Sequence, residues 1–379
     1  MTIFRNRSTD RTNFVLGIIF LLLLTLVLPG CGKAGSSTPE GSGSSFLVLV
    51  PDRGFLGNER FREAFSEYQG HVPNSELAIV TPEKTRKHLR KGVERLISEH
   101  SADTVVVLPA FLSDDHALYR EARNILNGMD DVNLVMVDPF GKSYLAEEIF
   151  FDRVESLMKE GGSERLFLVA NGAAGEDRAR AMRKDLEPRV RHAVEKYDLE
   201  AGEVGVLYDS SAPEEKQKEA SDRVKQRINQ DVPQDRTLVV PFNFDRKLTG
   251  MMWEWNWFKR GLDDEGIVTT DRQVLPHENL VHWLRKETNR HRPLSVEDVG
   301  VVLVPHGSDY HWNERMRSAL DPLRDDYTTV NAFSMVDPIV VGDAVDELEK
   351  RKDLRAAVVV RIFTMGSSFR DKTRYMLGL

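Results

Sequence analysis

One pattern constrains the fold of this chain more than any other. Short apolar, β-rich runs alternate with longer helical stretches, and the alternation restarts twice. The first round gives strands at Phe46–Val50, Leu77–Val80, Thr104–Leu108 and Asn133–Val137. Helical patterns lie between and after them at Glu59–Tyr68, Glu83–His100, Leu118–Leu126 and Tyr144–Lys159. Near-continuous Val/Leu runs predict strands buried on both faces, as in a parallel sheet. The strand–helix order predicts an α/β fold with helices on both faces and right-handed crossovers.

The second round reads Leu166–Ala170, Glu176–Lys196, Val204–Tyr208, Glu214–Asn229 and Thr237–Val240, then Ile267–Thr270 and Glu278–Glu287. The third reads Val299–Val304, Asn313–Arg324, Thr328–Phe333, Val341–Lys350 and Ala356–Val360. Individual residues support a true repeat. Asn58-Glu59-Arg60-Phe61 matches Asn313-Glu314-Arg315-Met316, and Met182-Arg183-x-x-Leu186-Glu187-Pro188 matches Met316-Arg317-x-x-Leu320-Asp321-Pro322. The reading is therefore three parallel-sheet units, at 46–160, 165–292 and 298–379. After its third strand the third unit has too few residues for a fourth strand and a last helix, because a parallel crossover alone needs about a dozen. It is expected to be an incomplete unit with an open sheet edge, and the least stable of the three.

Ahead of the repeats, Arg5, Arg7 and Arg11 precede an apolar run from Phe14 to Leu28, then Leu28-Pro29-Gly30-Cys31. That run is shorter than the ~20 residues a membrane span needs. A basic start, an apolar middle and a small residue before the cut describe an export signal. Residues 1–30 are thus expected to be a signal peptide, and residues 31–45, rich in Gly and Ser, a flexible tether. Losing three Arg and one Asp with the signal makes the mature chain still more acidic than the full chain's net charge of −8. That balance argues against a nucleic-acid partner. A single cysteine excludes an internal disulfide, a Cys-based zinc site and a cysteine-held iron–sulfur cluster. No GxxxxGK[ST] or GxSxG motif is present.

Val304-Pro305-His306-Gly307-Ser308, followed by Asn313-Glu314, is the most specific local signal. A buried strand ends and delivers His and Gly at its carboxyl tip, where open parallel sheets bind ligands. A neutral imidazole there can ligate a metal or accept a proton. Pro109-Ala110-Phe111-Leu112-Ser113-Asp114-Asp115-His116 offers another histidine after a Val-rich strand. The bland alternatives are a strand-end His306 held by local hydrogen bonds and an exposed, helix-starting His116 beside Asp114 and Asp115. Met251-Met252-Trp253-Glu254-Trp255-Asn256-Trp257-Phe258 is read first as core packing, with Trp253 and Trp257 on one helix face. The alternative is an apolar wall for a flat ligand or a membrane-facing patch. Lys84, Arg86, Lys87, Arg90 and Lys91 are read as a solvated helix face.

The Pro-Gly-Cys31 site resembles a bacterial lipobox, which implies lipidation of Cys31 and anchoring of an exported protein in the cell envelope. The strand–His-Gly-Ser pattern with Asn-Glu opening the next helix resembles the CbiX/CbiK-type sirohydrochlorin cobaltochelatases and ferrochelatases. That resemblance implies repeated chelatase-like units. It also implies insertion of a divalent metal, Co²⁺ or Fe²⁺ (or Ni²⁺ or Zn²⁺), into a tetrapyrrole, with no nucleotide or organic cofactor. His306 and His116 would be catalytic and metal-binding, Asp209 a further ligand, and Gly307, Ser308 and Asn313 would contact the ring. The ligands are scattered: Asp52 and Asn171 stand where the first His is expected in units one and two, and Ser368 or a neighbour where the second is expected in unit three. Either the three units bring the ligands together, or the chain is a non-catalytic protein that binds metal, tetrapyrrole or a protein partner on a degenerate scaffold.

Overall fold

The structure, a computed structural model, describes residues 43–81, 84–130, 132–159, 164–230, 236–245, 247–249, 252–262, 266–335, 337–351, 354–362 and 373. The expected signal, Cys31 and Ser368 lie outside the described residues. Two compact units divide the described chain, the first ending at Thr288 and the second beginning at Asn289.

The first unit holds two four-stranded sheets. β1 (Ser44–Pro51), α1 (Gly54–His71), β2 (Ser75–Val80), α2 (Thr85–His100), β3 (Thr104–Pro109), α3 (Ala117–Asn127), β4 (Asn133–Met136) and α4 (Tyr144–Glu155) build the first, with order β2-β1-β3-β4 and all pairs parallel. β5 (Glu164–Ala173), α5 (Glu176–Tyr197), β6 (Ala201–Tyr208), α6 (Glu214–Gln230) and β7 (Arg236–Pro241) continue the chain. A small antiparallel pair, β8 (Leu248–Thr249) and β9 (Met252–Trp253), precedes α7 (Glu254–Lys259), β10 (Ile267–Thr269) and α8 (Asn279–Arg290), which runs on past Thr288. The second sheet has order β10-β7-β5-β6, again all parallel, and repeats the first in topology.

Burial follows the sequence pattern. Phe46 to Val50 are all buried, so β1 is covered on both faces. On one face Leu47, Leu49, Val105 and Val107 meet Leu89, Val93 and Leu96 of α2 and Tyr119 and Ala122 of α3. Between the sheets lies an aromatic core. Phe61 packs on Phe244, Phe140 on Phe244 and Trp283, and Phe150 on Phe242, at ring distances of 5.1 to 6.0 Å. Each such side chain contributes ~1.5–3 kcal/mol by leaving water. The far face of the second sheet is closed by Val224, Ile228, Trp255 and Phe258.

The second unit contains β11 (Val299–Pro305), α9 (Tyr310–Leu320), β12 (Thr328–Asn331), α10 (Pro338–Glu349) and β13 (Ala356–Ile362). Its parallel sheet has three strands among the described residues, in the order β12-β11-β13. α10 covers one face through Val341, Ala344, Val345 and Leu348, set against Val302, Val304, Ala332 and Val359. α9 has no buried residue. Its start also differs from expectation. The Asp309 carboxylate accepts the Trp312 amide at 2.9 Å, so the helix opens at Tyr310 and not at Asn313. The α/β architecture of parallel sheets flanked by helices is the one the alternating pattern predicts.

Among the described residues no helix is long and apolar enough to cross a membrane. Trp255 is buried and stacks on Phe258 at 5.1 Å, which is the core role expected for it. Trp253 belongs to β9, before the helix, so it does not share a helix face with Trp257, which is 51% exposed under Arg260. The five basic residues from Lys84 to Lys91 are all exposed.

Candidate functional site

The carboxyl ends of the first two sheets meet in the first unit, and His116 sits there. It is the N-cap of α3, its Nδ1 accepting the Leu118 amide at 3.3 Å. Its ring packs edge-on against Phe111 at 5.1 Å. The opposite side of the ring faces Gly172, near the end of β5. A Cβ built on Gly172 would lie 2.3 Å from His116 Cδ2 and 2.5 Å from Nε2. Gly172 also has φ +128°, a conformation open only to glycine. Burial, then the nearby Arg53 cation, push the His116 pKa down to about 3. The imidazole is therefore neutral across the physiological range and a weak base. His116 is thus a packed cap, not the exposed helix-start residue of the bland sequence reading. Asp115 beside it accepts from Arg120 at 3.2 Å and from Arg178 of the second sheet's α5 at 3.1 Å.

Asp52, at the tip of β1, accepts from the Gly54 amide at 3.1 Å and from Asn58 Nδ2 at 2.6 Å. Asn58 Oδ1 in turn accepts the Arg53 amide at 2.9 Å. The Arg53 guanidinium reaches the second sheet. Its Nε and Nη2 donate to the Asp245 carbonyl at 2.9 and 2.7 Å, and Nη2 pairs with Glu254 at 3.2 Å. The other Glu254 oxygen accepts from Asn171 Nδ2 at 2.8 Å, and the Asn171 amide donates to Asn243 Oδ1 at 2.9 Å. Pro51, Arg53, Ser113, His116, Asn171 and Asn243 line a cavity of about 20 Å³, room for roughly one water. Sequence reading noticed Asn171 as a replaced histidine but missed Arg53 and Glu254. The available signal was charge in apolar company: Arg53 at the end of a buried strand, and Glu254 as the lone acid in an aromatic run.

Asp209 follows β6. It accepts from the Ser211 amide at 2.8 Å and from the Ser211 hydroxyl, while burial raises its pKa above the usual carboxylate value. Lys247 and Glu254 are its charged neighbours. Ser334, which follows β12 in the second unit, accepts the Asp337 amide at 3.2 Å.

In the second unit His306 follows the carboxyl tip of β11 and is exposed. Its Nδ1 donates to the Gly307 carbonyl at 2.7 Å. Gly307 takes φ +77°. Asn313 brackets Ser308, accepting its amide at 2.9 Å and donating to its carbonyl at 3.2 Å. Asn313 and Asn58 therefore do the same work at equivalent strand ends, as the repeated Asn-Glu-Arg suggested. Gly307, Ser308 and Asn313 shape the loop that presents His306. Among the described residues no three His, Cys, Asp or Glu side chains are grouped as a metal cage would require.

Residues 55–157 match the family model CbiX, a stretch that begins in α1, includes His116 and ends after α4. Among solved structures, SirB from Bacillus subtilis with Fe3+ is similar. It is 15% identical, with 66% of this chain and 96% of that chain covered and a TM-score of 0.46. No curated protein matches the chain.

Proposed function

We propose that this chain is an exported lipoprotein, acylated on Cys31, that binds a divalent metal held in a tetrapyrrole, with His306 as the metal-contacting residue. Cobalt, iron, nickel and zinc all accept an imidazole ligand. One observation carries the reading: an exposed imidazole at the strand tip, oriented by the bond from its Nδ1 to the Gly307 carbonyl. A lone histidine suits a metal whose other ligands come from the ring, as an axial ligand does. Large apolar side chains that follow the same carboxyl ends of the sheet are exposed, Tyr310 at 72% and Ile339 at 70%, and offer surface to a flat ring. The CbiX match supports chelatase ancestry for the first sheet.

Insertion of the metal is the second reading: two pyrrole protons must leave as the metal enters, and an imidazole at the site could accept one. The test uses the full chain in detergent. Iron or cobalt sirohydrochlorin is expected to bind with a shift of the main absorption band that His306→Ala abolishes. Metal-free sirohydrochlorin with Co²⁺ then separates the readings: insertion faster than the protein-free rate, and lost in His306→Ala, identifies an enzyme. Absence of both binding and insertion overturns the proposal.

A further inference from the structure

The cleft between the first two sheets holds a cation of the protein's own. We infer that Arg53 is the resident counter-cation of this cleft and that its guanidinium keeps metal ions away from His116. The inference concerns other residues in another unit than His306 and stands whether or not His306 binds metal.

Three observations carry it. First, Arg53 joins the tip of β1 to the second sheet, with both Nε and Nη2 on the Asp245 carbonyl and Nη2 on Glu254, and its side chain is only 12% exposed. Second, the groups around it form an electron-rich pocket: Glu254, the Asn171 amide group bonded to it, and the Asn171 Oδ1, which is buried with no hydrogen-bond partner. An acceptor and a carboxylate so placed are matched by one positive charge. Third, His116 has Nδ1 committed to the α3 cap, and its ring occupies the space that a side chain on Gly172 would take. With Arg53 in place the remaining cavity of about 20 Å³ has no room for a hydrated ion. The donors that persist here are an amide, a carboxylate and a capped imidazole, so the site fits a guanidinium and not a divalent metal. Arg53 also sits directly after Asp52, the residue that replaces the expected first histidine of this unit. The replacement and the added charge thus occur at adjacent positions of one strand tip.

The experiment follows the His116 ring signal by NMR in the full chain, in detergent, with histidine ring carbons labelled and His116→Asn providing the assignment. Co²⁺ is the probe, because a bound paramagnetic ion erases the signals of its ligands. In the wild type, equimolar Co²⁺ is expected to leave the His116 signal intact. In Arg53→Ala and in Arg53→Gln, which keeps a donor toward Asp245 without the charge, the same addition is expected to erase it. Loss of the signal in the wild type overturns the inference, as does its persistence in a variant whose circular dichroism is native. Should both variants fail to fold, the wild type alone decides: a signal surviving saturating Co²⁺ supports exclusion, and its loss refutes it.

Discussion

Two strand ends built on the same plan have been put to opposite uses. At the end of β1 the chain turns under Asn58 into a buried cleft, where Arg53 and Glu254 bind the two sheets together. At the end of β11 it turns under Asn313 onto an exposed loop, where the Nδ1 of His306 donates to the Gly307 carbonyl. The first has traded access for internal pairing. The second has kept access and lost cover, since α9 buries no residue. A repeat can thus preserve its backbone turn while the residue one position along decides whether the site is filled from within or left for a ligand.

The sharpest way to break this comparison is at the glycines. Alanine at Gly172 would need a backbone conformation that only glycine tolerates and would meet the His116 ring, which the α3 cap and Phe111 hold in place. Strain and overpacking together predict a loss of roughly 3–5 kcal/mol. Alanine at Gly307 meets nothing closer than the Phe333 backbone at 3.4 Å, so only the left-handed conformation is penalised, at roughly 1–2 kcal/mol. Urea titrations of both variants check the ranking. Equal losses would mean that the cleft is looser than its contacts imply.

The next effect is on local opening. β1 and β5 are covered on both faces, whereas the β11 sheet is covered well only by α10. Amides of Val299–Val304 are expected to exchange at least ~10-fold faster than those of Phe46–Val50, a difference of about 1.4 kcal/mol. Equal or better protection of β11 would show that its second face is covered as thoroughly as β1.

How far these differences could be read from the residues varies with the physics behind them. The strands were legible because Val-Val-Val-Leu at β3 or Leu-Val-Leu-Val at β1 cannot be amphipathic and must be buried on both sides. The Asn-Glu-Arg repeat exposed the equivalence of the two turns, which depends on a side chain five residues from the amide it caps. The α9 start was misplaced because Asp309, a short-range cap, outweighed the helical pattern that begins at Asn313. His116 was legible as a candidate but not as a half-buried cap packed against another strand end. Its opposition to Gly172 arises from the packing of two sheets far apart in sequence, and periodicity carries no information about that. Arg53 was passed over for the same reason, since its partners Asp245 and Glu254 lie about two hundred residues away.

Acid sharpens the comparison further. The His116 pKa lies near 3 in the folded chain, below its ordinary 6.5. Between those values the unfolded chain binds a proton that the folded one refuses. Stability therefore rises with pH across this window and is lost as pH falls through it, by at most about 1.4 kcal/mol per pH unit. His282, half-buried and lowered to about 4, adds in the same direction. His116→Asn keeps a capping side chain and removes the titration. Its unfolding free energy is expected to depend less steeply on pH from 6.5 down to 4 than that of the wild type. An unchanged slope would mean that the imidazole is solvated in the folded protein.

The smallest expected effect bears on the shared turn itself. Asn58 joins the Asp52 carboxylate and the Arg53 amide from a half-buried position, so Asn58→Ala leaves a carboxylate and an amide short of partners beside the clamp, at a cost of roughly 1–2 kcal/mol. Asn313 makes two bonds to Ser308 at the surface, where water replaces both, so Asn313→Ala is expected to cost roughly 0.5 kcal/mol. Thermal unfolding of the two variants reads the difference. The Asn313 change should nonetheless weaken ligand binding at His306 more than it weakens the fold, because the Ser308 loop is the only part of the turn it holds. If Asn313→Ala destabilises the chain as much as Asn58→Ala does, the His306 strand end is as tightly built as the clamped one. Burial would then not be what separates the two sites.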